Sequence, residues 1–439
     1  VDLLAKHAIE VLHRNDRGAW TRPSPRLYPH QWSWDAAFVA MGWAQLDPMR
    51  GITELWSLLK GQWSTGMVPQ IVFDLNVARG AYEPGPNAWG TSRHAPAGTA
   101  TSAICQPPVH AIALGRIREV ASSTPAVLAE VDDAIVDLYP RLARWHRWLR
   151  TARDPDRSGL VTILHPWESG LDNSPRWDRP LSAVEPDGPD DDVPRPDLSY
   201  VADPGERPTN GEYRRYRHLV DQLIAVDHDQ ERALAEHPFR VGDVFFSAIL
   251  AAADEVLAEL APVAGHPEAA EGHRLDACRT RAALDGCWDD DLHACLDLDR
   301  ITGRPIRSDT IGGFAPLIAG CAVDRSAVLV DRLLGPTYAG ADGLAWPLPL
   351  TTATTDPRFD AKGYWRGPQW PPITWLLTWA LERGGHRRTA AHLRSNGIDQ
   401  LREIGCTEYV EPFGGDPLGS PSQSWTAAVA LDWLGHSAP

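Results

Sequence analysis

The chain has 439 residues, 43% of them hydrophobic, enough to bury a substantial core. Its 58 acidic and 42 basic residues leave a formal charge of −16, a sign that repels nucleic acid and anionic lipid, and no Lys/Arg-rich run offsets it. No apolar stretch approaches the roughly 20 residues of a membrane helix, so neither nucleic acid nor membrane is expected as a partner, and any anionic substrate needs a local cationic pocket.

Residues 3–14 carry apolar side chains at helical spacing. This opening segment is amphipathic, not a basic end followed by an apolar run, so no secretory signal is expected. A Pro-rich loop spans 21–29, and 34–44 reads as an apolar helix. Asp47 as N-cap and Pro48 at the first helical position start a helix to about Gln62. Residues 64–100 are rich in Gly, Pro and Asn and read as a long loop, a length that usually signals function. Helices follow at 108–121 and, from Thr124 and Pro125, to about Thr151. Residues 154–159 form a turn, and 160–164 a short strand or extended lead-in. Residues 179–212, rich in Pro, Asp and Gly, read as an insertion folded over something rather than a linker.

Helical periodicity returns at 213–226, 241–262, 267–287, 309–321, 325–334, 370–384, 387–404 and 424–435. Aromatic, Gly/Pro-rich loops lie at 338–369 and 406–423, and no strand alternation of any length occurs. About twelve helices, with polar-aromatic motifs on every second connection, predict an all-α fold of paired helices in a ring. That is an (α/α)6 barrel, one domain over 1–439, with 64–100 and 179–212 as capping loops over a site at one end. An open solenoid is the alternative, disfavoured by the lack of a fixed-period repeat.

Six cysteines lie scattered without a C-x-x-C pair and suit buried small residues in a reducing compartment better than a disulfide framework. Trp is the anomaly: its 19 copies exceed the 9 Tyr and 8 Phe together. Several stand in polar, turn-rich segments: Trp32, Trp34, Trp167, Trp177, Trp365, Trp370 and Trp425. Indole faces stack on the C–H face of a pyranose while carboxylates accept from its hydroxyls, which favours a carbohydrate site.

Five stretches carry this chemistry. In Tyr28–Asp35, Asp35 either caps the following helix or accepts from a hydroxyl between Trp32 and Trp34. Gln106–Ala111 is a Gln before two prolines, or simply a helix-start turn. Leu164–Asp178 places Glu168 and Asp172 four residues apart beside Trp167 and Trp177, and the alternative is a polar loop with a core Trp. Tyr364–Pro371 packs two Trp, an Arg and three turn-formers into eight residues. Glu408–Trp425 adds Glu408 and Glu411. Carboxylates from distant parts of the chain suit glycoside hydrolysis, with one protonating the leaving oxygen and another activating water or attacking the sugar. Asp172 and Glu408 are the expected pair, and burial against Trp167 and Trp177 would keep the acid protonated.

Other signals are discounted. Asp154–Gly159 resembles half a calcium loop, but His165 stands where a Glu is needed. Asp190–Asp192 and Asp289–Asp291 suit solvated turns better than the magnesium-diphosphate sites of a terpene-type enzyme. The 16 His show no H-E-x-x-H or paired spacing for zinc, and no G-x-S-x-G supports a serine hydrolase. No metal or cofactor is expected.

In order along nearly the whole chain, these stretches resemble glycoside hydrolase family 63, and most closely its bacterial members that cleave mannosylglycerate and glucosylglycerate. Trp167–Asp178 is the most specific match. The resemblance implies an (α/α)6 barrel with inserted capping loops and an inverting mechanism, with Asp172 as general acid and Glu408 as general base. Glu411 is the alternative base, and Glu168 becomes a neighbour whose charge helps keep Asp172 protonated. Tyr28, Trp34, Asp35, Gln106, Gly170, Trp365, Trp370 and Gln423 fall at sugar-binding positions, and Arg207, Tyr213 and Tyr82 at those holding the glycerate. A single Arg offers bidentate carboxylate geometry, as the charge balance requires.

The expected activity is hydrolysis of the small anionic glycoside glucosylglycerate, with mannosylglycerate as a second substrate. Such compatible solutes imply a cytoplasmic enzyme, and the sequence leaves open a homo-oligomer. The competing readings are a hydrolase of another α-glucoside or disaccharide, and a catalytically silent sugar-binding barrel.

Overall fold

The structure, a computed structural model, describes residues 2–186 and 193–436. The Asp190–Asp192 run lies outside the described residues. Fifteen α-helices are present among those described: α1 (Leu3–Asn15), α2 (Ser33–Ala44), α3 (Pro48–Leu59), α4 (His110–Ala121), α5 (Pro125–Ala152), α6 (Asp178–Ser182), α7 (Asn210–Ala225), α8 (Gln230–Glu236), α9 (Val244–Leu260), α10 (Ala270–Gly286), α11 (Ala315–Ala319), α12 (Val323–Leu333), α13 (Pro371–Arg383), α14 (Arg387–Ile404) and α15 (Ser424–His436).

Two kinds of helix alternate. Every residue of α2 is buried, and α9, α13 and α15 are buried around most of their surface. Helices apolar all round belong in an interior. By contrast α1, α3, α5, α12 and α14 bury one stripe. The buried set is linked neighbour to neighbour: α2 packs on α4, α4 on α9, α9 on α11, α11 on α13, α13 on α15, and α15 on α2. The amphipathic helices lie against this set, with α3 on α2 and α4, α10 on α9 and α11, and α14 on α13 and α15.

The helix starts follow local chemistry. Asp47 accepts from the Met49 amide ahead of Pro48. Thr209 and Glu212 close a reciprocal capping box, so α7 begins at Asn210, ahead of the expected 213. The helix expected over 309–321 is interrupted. A 3-10 turn, Ile311–Phe314, precedes the five-residue α11, which ends at Gly320 with φ +82°. Gly312, Gly313 and Pro316 are poor α-helix residues.

The strands depart most from expectation. Two- and three-residue strands pair antiparallel, including a four-stranded sheet over 162–163, 241–242, 297–299 and 304–306. Thr162–Ile163 falls in the extended segment expected over 160–164; the other strands are too short to show alternation, and they form either with distant partners, as 162–163 with 241–242, or in local hairpins, as 288–289 with 294–295. In the expected loop 64–100, Ile71–Val72 pairs with Gln31–Trp32 and ties that segment to the start of α2. Asp154 forms the turn, accepting from the amides of Ser158 and Gly159. Asp289 holds the turn at 289–292 in the same way. All six cysteines are unbridged, with Cys105, Cys295 and Cys406 buried.

Candidate active site

The motif-bearing stretches meet at the N-terminal ends of the buried helices. Leu164–Asp178 forms the central wall and is held from behind by two buried ion networks. Glu168 accepts from both Nη atoms of Arg153 at 2.8 Å, from the Leu164 amide at 2.6 Å and from the Cys105 amide at 3.2 Å. Both side chains are fully buried, so the pair staples the Gln106 segment to this wall. Arg176, also buried, binds Asp297 through Nε at 2.8 Å and Asp243, the N-cap of α9. Asn173 fixes the next wall: its Oδ1 accepts from the Trp365 amide at 2.9 Å and its Nδ2 donates to the Gly363 carbonyl at 3.3 Å. Gly170 has φ +73°, and a Cβ there would lie 2.7 Å from the Trp34 ring, so only glycine lets the wall approach that indole.

Within this frame Asp172 reaches the pocket. Burial, opposed by Arg207 and reinforced by the negative charge of Glu408, pushes its carboxyl up to about 7. Glu408 arrives from the far end of the chain. Its Oε1 accepts from the Tyr28 hydroxyl at 2.7 Å and from the Tyr364 hydroxyl at 3.4 Å, and its Oε2 from the Ser420 amide at 2.9 Å. Burial raises the Glu408 carboxyl, while Arg207 and these donors pull it back. Gly419, at φ +68°, is required beside it, because a Cβ would sit 2.3 Å from Oε2.

Asp35 is the third carboxyl. It lies in the first turn of α2, not at its cap: Trp32 is the N-cap residue, and Gln106 Oε1 accepts from the Trp34 amide at 3.3 Å. The capping reading of Asp35 is therefore corrected. Burial, with Glu408 and Asp172 adding like charge, raises the Asp35 carboxyl well above its usual range.

Indoles line the pocket around these carboxyls. Trp34 meets Trp425 edge to face at 5.7 Å and Trp365 at 6.3 Å. Behind them Trp370 stacks on Trp365 at 3.5 Å and on Tyr409 at 4.5 Å. Three buried polar atoms of pocket residues have no protein partner: Gln70 Oε1, Gln423 Oε1 and Trp425 Nε1. Buried polar groups are normally satisfied, so two acceptors and a donor beside the indoles suit a polyhydroxylated ligand. Tyr82, Tyr213, Asp197 and Arg207 also line the pocket, and Arg207 Nη1 donates to the Tyr28 hydroxyl at 2.9 Å.

Residues 28–426 match the mannosylglycerate hydrolase MGH1-like glycoside hydrolase domain. The chain belongs to this family of glycoside hydrolases. It is 43% identical to the glucosylglycerate hydrolase of Mycolicibacterium hassiacum over 438 residues, 98% of each chain. It is 38% identical to the mannosylglycerate hydrolase of Thermus thermophilus, covering 97% of this chain and 99% of that one. A crystal structure of a family 63 mannosylglycerate hydrolase from Thermus thermophilus, in complex with Tris and D-glycerate, superposes with a TM-score of 0.88 at 37% identity, covering 98% of this chain and all of the other.

Of the residues singled out from sequence, Asp172, Glu408, Tyr28, Trp34, Asp35, Tyr82, Gln106, Gly170, Arg207, Tyr213, Trp365 and Gln423 line this glycoside hydrolase's pocket together. Trp370 does not, and supports the back of Trp365 instead. Glu168 faces Arg153, which holds its carboxyl below the usual range despite burial. The like charge acting on Asp172 is that of Glu408, so the role expected of Glu168 is corrected. Trp177 also turns away, donating to the Leu171 carbonyl and packing on Arg176. Glu411 is occupied by the amides of Phe413 and Gly414 outside the pocket.

Tyr364, Gln70 and Asp197 also line the pocket and were not expected there from sequence. Tyr364 stood at the head of a recognised stretch, but its φ of +57° sends the phenol to Glu408 in a way that spacing does not reveal. No group of three or more His, Cys, Asp or Glu side chains among the described residues is placed to hold a metal ion. Among them, too, no helix is long and apolar enough to cross a membrane.

Proposed function

We propose that this glycoside hydrolase is an inverting enzyme that cleaves glucosylglycerate to glucose and glycerate, with mannosylglycerate as a second substrate. The observation that carries this reading is the unequal pair of pocket carboxyls. Asp172 is pushed up to about 7 by burial, while Glu408 is supported by two phenols and an amide. A carboxylic acid poised near neutrality gives its proton to the glycosidic oxygen. The supported carboxylate takes a proton from water as its oxygen bonds to the anomeric carbon from the opposite face. Glycerate leaves with the proton from Asp172, and the sugar is released with inverted anomeric configuration. No cofactor enters this chemistry.

Trp34, Trp365, Asp35, Gln106, Gly170 and Gln423 hold the sugar, and Arg207 with Tyr82 and Tyr213 holds the glycerate carboxylate. The relatives' names support both substrates, with the higher identity on the glucosyl side. The neighbour-to-neighbour contacts from α2 round to α15 and back to α2 support an (α/α)6 barrel forming one catalytic domain. Gln70, Ala81, Tyr82 and Glu83 from 64–100, and Pro196, Asp197, Tyr200 and Arg207 from 179–212, line the pocket, which supports the capping role of both segments. A compatible-solute substrate implies a cytoplasmic enzyme.

The test is a panel of α-glycosides with the product followed by NMR. Glucosylglycerate is expected to react fastest and to give β-glucose first. Release of the α-anomer would overturn inversion, and faster hydrolysis of a neutral disaccharide would overturn the substrate. Sugar binding with no turnover would favour a silent barrel.

A further inference from the structure

Beside Arg207, the pocket holds a set of charges that the two catalytic carboxyls do not explain. Asp197 stands in the 3-10 turn Pro196–Ser199. Its carboxylate accepts two parallel bonds from Arg195, through Nε and Nη2, each at 2.9 Å, and one from Arg207 Nε at 3.4 Å. The side chains are 6%, 12% and 5% exposed for Arg195, Asp197 and Arg207, so water screens them little. Aromatic rings complete the enclosure: Arg195 lies 3.7 Å from the Tyr213 ring centre and Arg207 lies 4.3 Å from that of Tyr364. Asp197 and Arg207 line the pocket, while Arg195 stands outside the lining. The other nearby carboxylates have their own donors. Glu408 is bridged to Arg207 by the Tyr28 hydroxyl, and Glu83 binds the Gly85 amide.

Two guanidiniums against one carboxylate leave this buried trio with a charge of +1. Glu408 attracts Arg207 across the Tyr28 hydroxyl and offsets part of this charge, and a counter-charge in direct contact relieves the rest. We infer that Arg195 and Asp197 are specificity-determining residues, which set by charge count the aglycone that Arg207 accepts. This rests on the reading of the Arg207 end as the aglycone site. Asp197 takes the Nε bond of Arg207 and Tyr28 takes one from Nη1, which leaves the remaining Nη N–H groups for one carboxylate. Arg195 supplies the positive charge that Asp197 would otherwise cancel. A monoanionic aglycone neutralises the trio, a neutral one leaves it charged, and a phosphorylated one overfills it. Arg195 acts through Asp197 and touches no substrate.

The experiment measures kcat and KM for the α-glucosides of glycerol, glycerate and a phosphorylated glycerate, using the full chain. Arg195→Gln takes the trio to zero. It is expected to lower the glycerate-over-glycerol preference in kcat/KM by about tenfold or more, mainly through KM, the scale of one hydrogen-bonded charge. Asp197→Asn takes it to +2 and raises the relative kcat/KM for the phosphorylated glycerate. The double variant returns the trio to +1, and its preference is expected back near that of the wild type. A segment with only a structural role would lower all three substrates alike, with no recovery in the double variant, and that result overturns the inference. Failure of the wild type to hydrolyse glucosylglycerate would instead overturn the proposed function.

Discussion

Glu168 and Asp172 are separated by one turn of chain and have opposite fates. Glu168 is fully buried yet stays ionised, because Arg153 meets it with two charge-assisted bonds and two backbone amides add to them. Among the described residues no guanidinium bonds to Asp172; Arg207 acts on it through charge alone, and burial wins. One carboxylate has become a strut and the other a proton reservoir. Glu168 is the more enclosed of the two, yet it is the one that keeps its charge. What separates them is whether a cation sits within bonding distance.

The largest expected effect tests the pocket side of this comparison. Asp172→Asn and Glu408→Gln should each lower kcat/KM by about 10²- to 10⁴-fold, the usual span for a general acid or base. If either keeps near-full activity on glucosylglycerate, that role is lost. In the wild type, kcat/KM should fall as pH rises through about 7, where Asp172 gives up its proton.

The strut side should register as stability. Glu168→Gln leaves Arg153 buried without its counter-charge, and breaking such a pair costs about 3–5 kcal/mol. Urea denaturation measures this, and a loss below about 1 kcal/mol would show that the strut contributes little.

A subtler consequence separates the two roles within Asp172 itself. Folded, it holds its proton to about pH 7; unfolded, only to about pH 4. Between these values the folded state binds the extra proton, so this group's contribution to stability declines as pH rises. Asp172→Asn removes the penalty. The inactive variant should therefore melt above the wild type at pH 8, with the gain gone by pH 4. Equal melting at both would mean that burial does not strain the carboxyl.

Smallest is the expected effect of Tyr28→Phe on the base. Losing the phenol bond to Glu408 Oε1 raises the Glu408 carboxyl, so the acid limb of kcat/KM should move to higher pH while the alkaline limb stays. An unmoved acid limb would remove Tyr28 from control of the base.

Most of the helices were legible because their signals are local. Apolar spacing, Asp47–Pro48 and the long apolar face of 125–152 depend on neighbours within a few residues. Of the short strands only Thr162–Ile163 was legible, inside the extended segment expected over 160–164; the others are too short to alternate, and some, as Ile71–Val72 with Gln31–Trp32, are defined by a partner far along the chain. The site divides in the same way. Residue types at Asp172, Glu408 and Trp34 announced sugar and carboxylate chemistry, and Arg207 was reached only through the family resemblance. The positive φ of Tyr364 and the pairing of Asp197 with two Arg left no periodic or compositional trace.

The sequence by itself determined an apolar helical interior, a net-negative charge balance, and a set of aromatic and acidic loops whose chemistry points to sugars. These follow from residue type and short-range spacing. Only the tertiary structure decided which carboxylates became charged struts and which hold their protons in the pocket. That choice depends on contacts between residues as distant as Cys105 and Glu168, or Tyr28 and Glu408. In a buried site a carboxyl's protonation is set by what touches it, and folding decides what touches what.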